Sequence, residues 1–153
     1  MNAKIDRAAV QCKISCETQR ELFDIMAAPL ISAGYVHDDF ALYVAKREEK
    51  FPTGLPLEEV GMAIPHTDPE HVNSAALAIA TLKNPIKFRV MGSPEETVGV
   101  SAAFMLALTE GHQHIELLQK VIGIVQNQAA LSSIINADSD EELYVAISKL
   151  FGL

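Results

Sequence analysis

The chain has 153 residues, 49% of them hydrophobic and 21% charged, which is the balance of an ordinary folded domain and argues against disorder. We expect one domain over residues 1–153. The net charge of −8 excludes most nucleic-acid binders, which need a basic face. No apolar run reaches the ~18 residues that span a bilayer, and the amino-terminal segment lacks the apolar stretch of a signal peptide. A cytoplasmic protein is therefore expected.

Cys12 and Cys16 are the only cysteines, and they do not have the spacing of a CxxC motif. Two such thiols are typical of a reducing compartment. We expect no metal centre and no bound cofactor.

Two helices are predicted in the first third of the chain. Apolar residues recur at helical spacing over residues 17–33, where Pro29 should kink the helix or end it early. A second helix is predicted over residues 39–49, with Asp38 or Asp39 as its cap. Its apolar stripe consists of Phe40, Tyr43 and Val44.

The remainder of the chain alternates apolar segments with turns and then becomes helical. A turn-rich loop, FPTGLPLEEVG, is followed by four predicted strands at residues 62–64, 75–82, 86–90 and 98–108. Their incomplete alternation is typical of strands covered on both faces. Three helices are predicted at about residues 112–126, 127–135 and 139–150, the last opened by a capping box of Ser139 and Glu142. These elements predict an α/β fold, a single domain whose central mixed sheet is covered by helices on both faces.

Two polar residues interrupt apolar stripes. Arg47 takes the next position in the stripe of the second helix, and His114 shares a predicted face with Leu118, Val121, Ile122 and Val125. An inward arginine must be paired or bind an anion, because an unpaired buried charge is costly. An inward histidine near a helix start can face a cleft. Periodicity leaves open that Arg47 extends to the surface and that His114 is a hydrogen-bonded residue at the edge of the core.

His66 follows a predicted strand and a proline, and it opens the polar loop HTDPEH. Ligands of open α/β sheets commonly lie at such strand ends. Neutral imidazole is nucleophilic near pH 7, and its phosphoramidate stays reactive for onward transfer. The residues alone leave open that His66 is a loop histidine without a role.

Three segments together resemble the IIA proteins of the fructose–mannitol family of the bacterial phosphotransferase system. They are Arg47-Glu-Glu-Lys-Phe-Pro-Thr-Gly-Leu-Pro, Gly61-Met-Ala-Ile-Pro-His66 and His114-Ile-Glu-Leu-Leu118. The resemblance runs from about residue 15 to residue 150. It implies that His66 carries a phosphoryl group, while His114 and Arg47 lie beside it and support the phosphate. Thr53 matches the threonine of the family's loop, which implies a contact with the substrate.

The resemblance also implies the partners. A IIA protein accepts phosphate from phospho-HPr and passes it to a cysteine of a IIB protein, which serves a IIC permease. The segment Phe51-Pro-Thr-Gly and the Pro-His-x-x-x-x-His71 loop look most like galactitol-type IIA proteins. Because the sequence stops just after its last predicted helix, we expect the IIB acceptor to be a separate protein. The net charge and the acids Asp68 and Glu70 favour an acceptor with a basic patch.

One departure from the family and two alternatives remain. Thr67 stands where the family usually has glycine. A metal enzyme could use His66, Asp68 and His71, although the His112-x-His114 pair would point to two faces of a helix. A regulator of the same family would signal through its phosphorylation state, and the sequence separates it poorly from a transport protein.

Overall fold

A computed structural model describes residues 3–58, 60–110 and 112–152, apart from the side chains of residues 112–114. The strands are β1 (Val10–Ile14), β2 (Gly54–Pro56), β3 (Gly61–Ala63), β4 (Ala76–Val90) and β5 (Ser93–Ala107). The helices are α1 (Gln19–Ser32), α2 (Phe40–Lys50), α3 (His112–Val125), α4 (Gln128–Ile135) and α5 (Asp140–Phe151). Short 3-10 turns lie at Arg7–Ala9 and Pro69–His71.

The five strands form one mixed sheet built on the antiparallel pair β4 and β5. β1 runs parallel to β4, and β3 runs parallel to β5. β2 pairs antiparallel with β3 and also meets the far end of β4 through Gly54 and Val90. The predicted mixed sheet is confirmed.

Helices cover both faces of this sheet. On one face α1 and α2 pack on small β4 side chains, among them Ala76, Ala78 and Ala80. On the other face α3, α4 and α5 pack on the larger side chains of Leu77 and Ile79. Because each face of β4 is buried, its sequence is apolar throughout this segment instead of alternating. The predicted layering is thereby confirmed.

The strand predictions need three corrections. β1 and β2 were not predicted, since β1 contains Gln11 and Lys13 and β2 lies inside the turn-rich loop. The two strands predicted at residues 75–82 and 86–90 are one strand, β4, with a shift of register between Thr81 and Ile86. β5 begins at Ser93, before the predicted start at residue 98.

Pro29 does not end α1 early, since the helix continues to Ser32. Proline has no N–H to donate to the carbonyl four residues earlier, which is that of Ile25. The side-chain amide of Gln11, on β1, donates to this carbonyl at 3.1 Å instead. A neighbouring strand therefore supplies the donor that the proline removes.

The apolar stripe predicted for α3 is wrong in part. Ile122, which was expected on the buried face, is 41% exposed, while Leu117 and Ile124, which lie outside the predicted stripe, are buried. A helix packed against two neighbours at once, α4 and the sheet, buries a face that spacing alone locates only to within one residue.

Among the described residues, no helix is both long and apolar enough to cross a membrane.

The predicted helix caps are also partly wrong. Ser139 accepts the N–H of Glu142, as predicted, but the Glu142 carboxylate accepts from the N–H of Asp138 and not from that of Ser139. Asp39 is the residue that caps α2, yet its side chain makes no capping hydrogen bond.

Candidate functional site

His66 lies at the edge of the sheet where β3 and β5 end side by side. The two strands are parallel, and the main chain of His66 forms a bridge with Leu106. The N–H of Leu106 donates to the Pro65 carbonyl at 3.0 Å. Because this bonding continues the ladder beyond β3, the backbone of His66 is held by the sheet and not by a loose loop.

The His66 ring is oriented by its own main chain. Its Nδ1 lies 2.8 Å from the Ile64 carbonyl oxygen, and a carbonyl can only accept, so Nδ1 carries the proton. In the neutral ring the lone pair then resides on Nε2. The ring is half-buried. The arrangement prepares Nε2 as the nucleophilic nitrogen.

Arg47 contacts the loop that follows His66. Its Nη1 donates to Asp68 Oδ1 at 3.1 Å, and its guanidinium carbon lies 5.0 Å from the centre of the Phe51 ring. One third of the Arg47 side chain is exposed. Its Nε is buried and has no hydrogen-bond partner in the part of the chain that the structure describes. Arg47 therefore retains a buried N–H that an anion could accept from.

A groove of about 300 Å³ lies between α2 and the two residues that follow His66, and we call it the α2 groove. Its loop side is formed by Thr67 and Asp68, directly after His66. Its helix side is formed by Tyr43, Lys46, Arg47, Lys50 and Phe51. Three cations and one carboxylate line it, so the local charge is positive although the chain as a whole is acidic.

Glu48, the residue after Arg47, forms a buried pair with Thr53. The Glu48 carboxylate accepts the backbone N–H of Thr53 at 2.7 Å and its hydroxyl at 2.8 Å. Burial raises the pKa of Glu48, against the effect of the two Thr53 hydrogen bonds and the positive charge of Arg89. The pair fixes the end of α2 to the loop that leads into β2.

Thr53 is thus placed as the partner of Glu48, and its predicted contact with the substrate stays a prediction. Glu48 was not predicted as a site residue. The sequence does carry a signal for it, since it follows Arg47 directly and falls on the buried face of α2.

His114 is the third residue of α3, which begins five residues after β5 ends. Since His66 bridges to Leu106 near the end of β5, the start of α3 and His66 belong to the same edge of the sheet. The side chain of His114 lies outside the described residues, so its predicted support of the phosphate stays a prediction.

The far end of the loop forms a second polar cluster. His71 is buried, stacks on the Tyr43 ring at 3.9 Å, and lies 3.3 Å from Glu70 and 3.6 Å from Asp39. The metal alternative grouped His71 with His66 and Asp68. The structure instead brings His71 together with Asp39 and His37.

Comparison with known proteins identifies the class of protein that this fold and site define. Residues 4–150 match the family model described as "Phosphoenolpyruvate-dependent sugar phosphotransferase system, EIIA 2". The chain belongs to this family, the IIA components of sugar phosphotransferase systems, whose work is phosphoryl transfer.

Two relatives show which members of the family this chain resembles in sequence. The galactitol-specific EIIA component of Escherichia coli K12 is 28% identical over 126 residues, which are 82% of this chain and 83% of that protein. The transcriptional regulator ManR of Bacillus subtilis is 34% identical over 97 residues, 63% of this chain but only 13% of the regulator.

Two solved structures share the fold. The mannitol-specific cryptic enzyme IIA CmtB of Escherichia coli has a TM-score of 0.79 at 16% identity, with 95% of each chain covered. A complex of the mannitol enzyme IIA with phosphorylated enzyme IIB, also from Escherichia coli, has a TM-score of 0.71 at 16% identity, covering 95% of this chain and 96% of that one. The predicted resemblance to galactitol-like IIA proteins is confirmed by these comparisons.

Proposed function

We propose that this chain, as one phosphocarrier domain, accepts a phosphoryl group on Nε2 of His66 from phospho-HPr and passes it to a cysteine of a IIB protein. The observation that carries the proposal is the hydrogen bond from His66 Nδ1 to the Ile64 carbonyl, at a strand end of a IIA fold. That bond places the lone pair of the neutral ring on Nε2. It also fixes the orientation of the ring relative to the end of the strand.

The proposed chemistry needs no net proton transfer. The Nε2 lone pair attacks phosphorus of the donor phosphohistidine, a new N–P bond forms, and the donor's N–P bond breaks with its electron pair returning to the donor ring. In the second step a IIB thiolate attacks the same phosphorus, an S–P bond forms, and Nε2 recovers its lone pair. Positioning and charge stabilisation therefore carry most of the catalysis.

We assign that charge to Arg47, whose guanidinium donates to Asp68, two residues after His66. A phosphoryl group on His66 carries up to about two negative charges. A guanidinium offers it charge-assisted hydrogen bonds worth about 1.5–3 kcal/mol each. In the structure Arg47 bonds Asp68, so phosphate would compete with this carboxylate for the guanidinium. Such competition limits how tightly phosphate is held, which suits a carrier that must release it.

The α2 groove supports a role in partner docking. Lys46 and Lys50 lie on its helix side, and Phe51 is exposed at its rim. The expectation of a basic patch on the acceptor rested on the net charge and on Asp68 and Glu70, but Asp68 is paired with Arg47 and Glu70 lies against His71. The local charge of this groove favours acidic groups on the partner instead.

Galactitol is the sugar system that the relatives favour. The galactitol-specific EIIA component matches this chain over most of both lengths. The solved complex of a mannitol enzyme IIA with phosphorylated enzyme IIB supports a IIB protein as the acceptor. A galactitol-type IIB, working with a IIC permease, is therefore the acceptor that we propose.

The test is phosphoenolpyruvate-dependent labelling with purified enzyme I and HPr, followed by transfer to a panel of IIB proteins. The wild type should gain an acid-labile phosphate and pass it fastest to a galactitol-type IIB. His66→Gln should remain unlabelled, while His71→Gln, checked for folding by circular dichroism, should be labelled. Labelling of His66→Gln to the wild-type extent would contradict the proposal. Faster transfer to a mannitol-type or fructose-type IIB would contradict only the choice of sugar system.

A second candidate function is regulation through the phosphorylation state. The observation that favours it is the 34% identity to a segment of the ManR regulator. This function predicts that the phosphorylated protein passes phosphate to no IIB of the panel. It also predicts that binding to a regulatory partner differs between the wild type and His66→Gln.

A further inference from the structure

We propose that His37, Asp39 and His71 form a binding site for a divalent transition-metal ion of the zinc class, separate from His66. One ligand atom from each of the three residues lies within 4.8 Å of the other two. His37 and Asp39 are exposed and immediately precede α2, and His71 is buried at the end of the 3-10 turn Pro69–His71. Two imidazoles and one carboxylate are a common ligand set for zinc.

The backbone holds the two segments together. Val36 and Val72 form an antiparallel bridge, and the N–H of His37 donates to the His71 carbonyl at 3.0 Å. The ligands on the two segments are therefore brought together by main-chain bonds, and no large rearrangement is needed to collect them. A site of this kind loses little conformational entropy when it binds an ion.

The orientation of the His37 ring is set by a hydrogen bond to Asn73, which lies outside the cluster. The Asn73 side-chain N–H donates to the Gly34 carbonyl at 3.0 Å, so the Asn73 amide oxygen faces His37. That oxygen accepts from His37 Nε2 at 2.9 Å. Since Nε2 must then carry the proton, the lone pair of the neutral ring is on Nδ1. Metal-binding histidines almost always donate their other ring N–H to such an oxygen.

His71 has the same kind of outer support. Its Nε2 lies 3.3 Å from a Glu70 carboxylate oxygen, and its ring stacks on Tyr43 with only 19° between the two planes. The stacking fixes the plane of the ring, and the carboxylate matches the carboxylate–histidine–metal arrangement that raises the basicity of a ligand. The other nitrogen, Nδ1, faces Asp39.

The distance between His71 Nδ1 and Asp39 Oδ1 is close to the spacing of two ligands on one metal ion. At 3.6 Å the two atoms are too far apart for a hydrogen bond. Two atoms that share a tetrahedral zinc at about 2.0–2.1 Å lie roughly 3.3–3.4 Å apart. His37 is exposed and can close the remaining gap, and water can complete the coordination. The Asp39 carboxylate is also not used to cap α2.

The site would link two parts of the phosphorylation site. Asp39 directly precedes the helix that carries Arg47, and His71 ends the loop that carries Asp68, the partner of Arg47. A bound ion would therefore tie the helix side of the α2 groove to its loop side.

The experiment is calorimetric titration of the chelator-treated full chain with Zn²⁺, repeated with Co²⁺ to record the visible absorption of a tetrahedral site. The wild type should bind one equivalent. His37→Gln and Asp39→Asn should each weaken binding at least tenfold, because each removes a ligand. Asp38→Asn is the matched control, since it removes the neighbouring exposed carboxylate, and it should leave the affinity unchanged. Both ligand variants change exposed side chains, so folding should be preserved.

Two further variants exclude other sites in the chain. Zn²⁺ binding should persist in His66→Gln and in the double variant Cys12→Ser/Cys16→Ser. If the wild type shows no saturable binding of Zn²⁺, the proposal is overturned and the residues form only a histidine–carboxylate pair. Equal affinity in the wild type, His37→Gln and Asp39→Asn would also overturn it, as would loss of binding in either of the two further variants.

Discussion

The α2 groove and the groove between α4 and α5 differ in size and in chemistry. The second groove is larger, about 520 Å³ against about 300 Å³, and is lined mainly by alanine, serine and asparagine side chains. Its charged residues, Glu142 and Lys149, carry opposite charges. The α2 groove has three cations and is lined by the two residues that follow His66, a histidine whose tautomer is fixed. Under the proposed function volume alone would select the wrong groove, because a phosphoryl group needs a nucleophile and positive charge more than it needs space.

The largest expected effect is on phosphoryl transfer when the α2 groove loses its arginine. Arg47→Ala should slow labelling of His66 by about a hundredfold, because a charge-assisted hydrogen bond worth about 1.5–3 kcal/mol is lost. Lys149→Ala, in the other groove, should leave the rate unchanged. The measurement is the initial rate of labelling by phospho-HPr, with thermal unfolding as a check on stability. Equal labelling rates for Arg47→Ala and Lys149→Ala would contradict the proposal that the α2 groove, and not the other groove, serves phosphoryl transfer.

The second expectation concerns the close backbone contact that positions the strand before His66. A Cβ at Gly61 would lie 2.1 Å from the Gly99 carbonyl oxygen, so Gly61→Ala must push β3 away from β5. We expect a loss of about 2–3 kcal/mol in the free energy of unfolding, the range of overpacked sites. A Cβ at Gly123 on α3 meets nothing within 4 Å, so Gly123→Ala should stabilise by about 0.5–1 kcal/mol. Urea unfolding measures both, and a Gly61→Ala protein as stable as the wild type would contradict the contact.

The third expectation separates local charge from net charge. Lys46→Glu/Lys50→Glu changes the α2 groove, and Lys120→Glu/Lys149→Glu makes the same change in net charge on the face of α3 and α5. Only the first pair should slow transfer from phospho-HPr, by about tenfold at low salt, because only it alters the field at the docking surface. The difference should shrink as salt is raised. Equal slowing by both pairs would mean that net charge alone matters.

The smallest expected effect is a dependence of stability on pH that arises from the buried carboxyl group of Glu48. Burial raises the pKa of Glu48 above its ordinary value of 4.5. The folded protein then keeps a proton that the unfolded chain has lost, so the free energy of unfolding falls as the pH rises from about 4.5 through the folded pKa. If the ionisation constants of Glu48 in the folded and unfolded states differ tenfold, the free energy of unfolding changes by about 1.4 kcal/mol across this pH range.

Glu48→Gln should abolish this dependence, because its amide oxygen can still accept the Thr53 N–H while its amide N–H donates to the Thr53 hydroxyl oxygen. The variant should be at least as stable as the wild type at pH 8, and the two should converge near pH 4.5. Urea unfolding at several pH values gives the comparison. Parallel curves for the two proteins over this range would show that burial does not act on Glu48 as described.

Local patterns in the sequence were sufficient to predict many of the helices and strands of the fold. The apolar spacing in α1, α2 and α5 predicted helices close to those observed, and the short apolar segment before Pro65 correctly predicted β3. Arg47 was singled out because it interrupts a stripe, and the structure places it against the loop after His66. These features depend on residues within one or two turns of each other.

Features that depend on distant residues could not be predicted in this way. β1 contains Gln11 and Lys13, and it forms a strand because the already buried β4 offers it a partner. His37 and His71 lie far apart in sequence and are brought together by the Val36–Val72 bridge and by the hydrogen bond from the His37 N–H to the His71 carbonyl. The Glu48–Thr53 pair requires the turn after α2, whose geometry no periodicity describes.

The most direct test of the account is to identify the nitrogen that carries the phosphate. Protein labelled with ¹⁵N in its histidine rings should be phosphorylated by phosphoenolpyruvate, enzyme I and HPr, and its ring nitrogens followed by long-range ¹H–¹⁵N NMR. The account predicts phosphorus on Nε2 of His66 alone, with Nδ1 still protonated and bonded to the Ile64 carbonyl. Phosphorus on Nδ1 of His66, or on another histidine, would contradict it.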